Sequence, residues 1–195
     1  MGFGNVGFSA DPKPMPIRRA LIPLASALAA LAVSAPAAPA ATKNLWSTIN
    51  VCDSANHPDG VGIAARMPGN GSGERMYMRF YVQYLDGETW RFVKTGGKSP
   101  WLYAGSAKYT WVGLGYTFSF DPPAAGTSYT MRGFVRYEWR KGKTKVVKRT
   151  HRYTSDGHPG TRDADPKDFS SRKCKMTGPA PTPQPGQPGY QDPVS

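Results

Sequence analysis

The sequence predicts an all-β domain: a two-sheet antiparallel sandwich of about seven strands with one disulfide. Three observations carry this. After residue 43 no stretch repeats its apolar residues with a helical period. In place of helices, alternating, aromatic-rich runs recur between breaks built from glycine, proline, aspartate and asparagine. The chain has 2 cysteines, and they flank nearly all of these runs.

Both ends are set aside before the core is counted. Residues 1–40 read as an N-terminal extension and a secretory signal peptide. Arg18-Arg19 lead into an apolar, alanine-rich run, and Ala38-Pro39-Ala40 fits a signal-peptidase site. A start at Met15 in place of Met1 gives the more compact signal, and the rest of a twin-arginine motif is missing. Residues 178–195 alternate proline with small and polar residues, the composition of a disordered tail. The domain proper is then 43–177, large enough for one core, with no transmembrane anchor in the mature chain. In an exported chain Cys52 and Cys174 pair, closing almost the whole domain into one loop.

Within the domain, strands are expected at 47–52, 61–67, 75–85, 88–94, 110–121, 128–140 and 143–154. The Asp86-Gly87 and Lys141-Gly142 breaks join neighbouring runs tightly, as hairpins. The third run alternates cleanly. Met76, Met78, Phe80, Val82 and Tyr84 share one face; Tyr77, Arg79, Tyr81 and Gln83 share the other. The sixth run sets Met131, Gly133, Val135, Tyr137 and Trp139 against Arg132, Phe134, Arg136, Glu138 and Arg140. One apolar face per strand calls for a sheet covered on one side, in a sandwich or a closed barrel. The seventh run alternates too irregularly for its faces to be assigned.

The strand order over 45–155 resembles an immunoglobulin-like or fibronectin-type-III-like domain. Tyr129, opening the long sixth strand after PPAAGTS, stands where such sandwiches place a corner tyrosine. The chain departs from the immunoglobulin pattern in two ways: its cysteines lie at the ends of the domain, and its third strand has no tryptophan.

A formal charge of +12 on an exported protein favours anionic partners. With the third and sixth runs adjacent, Tyr77, Arg79, Tyr81, Arg132, Phe134, Arg136 and Arg140 combine on one outer face. Forked guanidinium donors suit sulfate, phosphate or carboxylate, and the rings offer platforms for sugars. Trp101, in the long connection 95–109, is either a loop contact residue or a cap folded back on the core. The reading is an exported, non-enzymatic binding or structural module for an anionic cell-surface glycan or wall polymer, secreted or held at the cell envelope. It needs no cofactor. Nucleic acid is a less available partner outside the cell, and oligomeric state is not encoded in any visible pattern.

Two polar stretches compete as chemistry. NHPDG at 56–60 and TSDGHPGTRDADP at 154–166 each follow or precede a cysteine and carry His57, Asp59, Asp156 and His158. Brought together by the disulfide, they are the candidates for a metal site or a small secreted hydrolase. Neither zinc-ligand spacing nor an EF-hand pattern is present, and Asp, Gly and Pro are also what turns require. The favoured expectation is therefore two turns brought near each other by one bond, with no metal.

Overall fold

A computed structural model describes residues 44–182. The signal, start-site and tail readings fall on 1–43 and 183–195, outside the described residues, apart from the first positions of the tail. The strands are β1 (Trp46–Ser54), β2 (His57–Pro68), β3 (Arg75–Asp86), β4 (Thr89–Phe92), β5 (Leu102–Ser106), β6 (Trp111–Ser119), β7 (Ser128–Lys141), β8 (Lys145–Tyr153) and β9 (Cys174–Thr177). They form two antiparallel sheets. The smaller has the order β1-β2-β6; in the larger, β4-β3-β7-β8 form the main path, with β5 also on β3 and β9 also on β7.

All seven expected strands are present, with their ends within two residues of expectation except the start of β2, which lies four residues earlier. Two were not foreseen. β5 and β9 are short, and each completes an edge that another strand covers only in part. β4 pairs with the 83–86 end of β3 and β5 with its 75–78 end. β8 and β9 divide β7 in the same way. Strands of four or five residues carry few alternations; β4, equally short, is marked by the Asp86-Gly87 hairpin, whereas no hairpin break joins β5 or β9 to its partner.

The core lies between the sheets. Ile49, Val61, Ile63 and Met67 of the smaller sheet meet Met76, Met78, Phe80, Val82, Val135 and Tyr137 of the larger. Two polar ties cross the interface at its margins: the Tyr137 hydroxyl donates to Trp46 O at 2.7 Å, and Trp139 Nε1 donates to Pro68 O at 3.1 Å. Burial raises the Tyr137 pKa, so this hydroxyl stays protonated and remains a donor. Gly133 marks a close approach: a Cβ there would stand 2.5 Å from Thr154 Cγ2 and 2.8 Å from Ile63 Cδ1.

β1 is buried on both faces from Ser47 to Val51, which a half-covered sheet does not predict. The cause is the segment that follows β8, containing TSDGHPGTRDADP. It runs along β1 and uses that strand's polar groups. Ser155 N donates to Ser47 O, Asn50 Nδ2 to Arg162 O, and Asp165 N to Asn50 O. Ile49 and Ser171 exchange both backbone bonds, at 2.8 and 3.0 Å. The free edge of β1 is thereby covered.

The Cys52–Cys174 disulfide is present and joins β1 of one sheet to β9 of the other. Tyr129 does not act as a corner tyrosine. It shares a face of β7 with Met131, Val135 and Tyr137, but at the very start of the strand it lies beyond the packed core and is 44% exposed.

Candidate ligand-binding surfaces

The expected face assembles on the larger sheet. β3 and β7 pair along their length, Arg75 with Arg140, Tyr77 with Glu138, Arg79 with Arg136, Tyr81 with Phe134 and Gln83 with Arg132. β8 extends the same rows, placing Arg149 beside Glu138, His151 beside Arg136 and Tyr153 beside Phe134. A register shift between Trp139 and Arg140 explains why the seventh run alternates poorly. Only part of the expected set is free, however. Tyr77, Phe134 and Glu138 are buried, and Tyr81, Arg79, Arg132, Arg140 and Trp101 are half-buried.

The covering groups are one another. Two pairs of arginines face directly across strands, an arrangement that is unfavourable on its own. Aromatic rings under the guanidinium groups offset it. Arg79 and Arg140 lie over Trp101 at 4.8 and 4.7 Å, and Arg140 also lies over Tyr77 at 4.2 Å. Arg75 covers Tyr103 at 4.2 Å, and Arg132 sits between Trp90 and Tyr153 at 4.3 and 4.2 Å. Trp101 is thus neither a loop-tip contact nor a core cap; it is a platform on the sheet face.

Glu138 is the carboxylate in these rows, and 1% of its side chain is exposed. Arg140 and Arg149 each hold one of its oxygens, both at 2.6 Å. Arg136 is exposed and Arg149 keeps 59% of its side chain accessible. With Phe92, Phe134, His151 and Tyr153 they border a shallow depression of about 490 Å³. Exposed Phe92, Tyr103 and Tyr153 flank the arginines on the outer strands.

The metal and hydrolase candidates separate. His57 pairs with Ser54 at the end of β1. His158 stacks on Trp46 at its start, with 4.4 Å between ring centroids and an interplanar angle of 6°. The segment 155–165 runs the same way as β1, so the histidines lie a strand length apart, roughly 25 Å at about 3.3 Å per residue. The turns do meet, but through another residue: Ser54 Oγ and Asn56 Nδ2 both donate to Asp165. These bonds hold the Asp165 carboxyl below its ordinary pKa. Asp156 caps Arg172 N, and Asp59 N donates to Asp53. Among the described residues no three His, Cys, Asp or Glu side chains converge as metal ligands.

A second surface went unread in the sequence. On the outer face of the smaller sheet a groove of about 590 Å³ runs between β6 and the loop 159–163. Ala64, Gly113 and Gly115 form its floor. Its end is a pile of flat groups: Trp111, then Arg66 at 3.7 Å from that ring, then Trp46 at 5.3 Å from Arg66, then His158. Burial, and secondarily the Arg66 charge, lower the His158 pKa, which favours a neutral ring beside Trp46. The alternation G-x-G within WVGLGYT was visible, but only the pairing of β6 with β2 puts it opposite Ala64 and Arg66.

Comparison with protein-family models and with curated proteins found no match to this chain.

Proposed function

We propose that this protein is an exported, non-enzymatic module that binds an anionic cell-surface polymer through the outer face of its larger sheet. The observation that carries the reading is charge imbalance on one contiguous face. Six arginines on β3, β7 and β8 stand around one carboxylate, Glu138, which is buried and already shared by two of them. The rings beneath keep the guanidinium groups flat against the sheet and leave in-plane donors for oxyanions. Polymer binding needs such a repeated, shallow field more than a deep cleft, and the depression beside Arg136 and Arg149 is shallow. The disulfide fits an oxidising compartment. We further read the sandwich as immunoglobulin-like, because β1-β2-β6 and β3-β7-β8 match the A-B-E and C-F-G strand sets of that arrangement, with β4 in the place of C′.

The test compares a phosphorylated mannan, a sulfated glycan and a neutral glucan by affinity electrophoresis. The R132Q/R136Q/R149Q variant is run beside the parent chain. Retardation by the two anionic polymers is expected, lost at high salt and in the variant. Equal retardation by the neutral glucan, or by the variant, would overturn the reading. Preference for single-stranded DNA over both polysaccharides, with a steep salt slope, would favour a nucleic-acid partner instead.

A further inference from the structure

We infer that the groove on the smaller sheet is a second binding site, one that takes a short saccharide segment bearing a carboxylate. Its argument is independent of the polyanion reading, since the groove lies on the opposite sheet and shares no residue with the arginine face.

The floor comes first. Glycine inside a strand weakens it, and a strand tolerates two in succession on one face only where something gains from their absence of side chain. Local packing does not require them. A Cβ at Gly115 would meet nothing nearer than Ile63 O at 3.6 Å, and one at Gly113 nothing nearer than Ala65 O at 3.5 Å. Neither residue has a positive φ. Both are exposed. With Ala64 alongside, they leave a flat strip of backbone open to an approaching ring.

The end wall supplies the chemistry. Trp46 on β1 and Trp111 on β6 flank Arg66 on β2, their ring centroids 5.3 and 3.7 Å from its guanidinium carbon. The guanidinium edge carries the N–H donors, and among the described residues Arg66 takes part in no ion pair. A planar fork of donors held between two rings is preorganised for a bidentate oxyanion, and a carboxylate matches its geometry. Trp111 is 45% exposed, leaving ring surface for the C–H face of a sugar. On the loop side the 159–163 backbone offers polar groups for hydroxyls. The volume, about 590 Å³, falls within the range of ligand sites. An amphipathic ring carrying one carboxylate uses the floor, the wall and the fork together; a neutral sugar leaves Arg66 unused, and a bare anion leaves the floor unused.

The experiment titrates the full chain with trigalacturonate, its methyl ester and inorganic phosphate, following the indole signals of Trp46 and Trp111 by NMR. Trigalacturonate is expected to shift both indoles and to bind about tenfold more tightly than the ester. R66Q should lose about tenfold in affinity, and R66K should recover part of it. Gly115→Val should abolish binding while leaving the melting temperature unchanged or higher, because valine favours strands and has room there. R132Q/R136Q/R149Q should bind trigalacturonate as the parent does, whatever becomes of its polymer binding. The inference fails if no ligand shifts the indoles, if ester or phosphate binds as well as trigalacturonate, or if Gly115→Val binds normally.

Discussion

Glu138 shows how far one residue can commit a surface. Its alternation in the sixth run places it on the outer face, where a carboxylate is usually solvated. In the structure it is almost fully buried, because Arg140 and Arg149 close over it and Tyr77 lies beside it across the strands. A buried ion pair is weak evidence of net stability, but breaking one by removing a partner is costly. Glu138→Gln is therefore expected to destabilise the domain by about 3 kcal/mol, read as a drop in urea midpoint at unchanged slope. It should also strengthen retention on polyanions, since Arg149 is released. A variant as stable as the parent would show that water, and not Glu138, compensates these arginines. The same scale shows what residue-by-residue reading misses. His57 and His158 look equivalent in sequence, each followed by proline in a turn-forming stretch, yet one ends in a hairpin and the other stacks on a tryptophan ring.

At the scale of elements, the two outermost strands of the smaller sheet have opposite fates. β1 is covered by the 155–171 segment, whose backbone bonds to Ser47, Ile49 and Asn50 continue the sheet irregularly. β6 pairs with β2 on one side, and no strand pairs with its other side among the described residues. Amide exchange should reflect this. The amides of Ile49, Asp165 and Ser171 should be protected together, opening as one unit. The outward amides of β6 should exchange near the rate of loops. Fast exchange at Ile49 would mean that the 155–171 segment detaches in solution and that β1 is an open edge. Most strands were legible because alternation over nine or more residues is a strong signal. β5 and β9 were not, being short and defined by the neighbour they complete. The faces of β8 were hidden by a bulge, which breaks the period of two from which faces are read.

For the whole molecule, the disulfide and the covering segment act on the same place. Cys52 lies in β1, Cys174 opens β9, and the chain between them spans 122 positions. Closing so long a loop is worth about 4–5 kcal/mol in the chain-entropy model. Reduction, or paired Cys52→Ala and Cys174→Ala substitution, is expected to lower stability by about that amount and to loosen β9 and the 155–171 segment first. Uniform loss of exchange protection across the sheets would contradict this order. A loss below about 1 kcal/mol would show that the unfolded chain stays compact without the bond.

The sequence by itself determined the class, seven of the nine described strands and the cysteine pair. Each of these rests on local periodicity, or on there being only two cysteines to pair. Tertiary structure alone decided three things. It placed TSDGHPGTRDADP along β1, so that the polar stretch serves backbone pairing and not a paired-histidine site. It converted the arginine-aromatic face from a row of free side chains into a mutually stacked layer with a few exposed members. It also brought Trp46, Arg66, Trp111 and His158, which lie far apart in the chain, into one pile at the end of a glycine-floored groove. The physical reason is common to all three: which strands lie side by side, and in what register, is set by long-range packing of the two sheets.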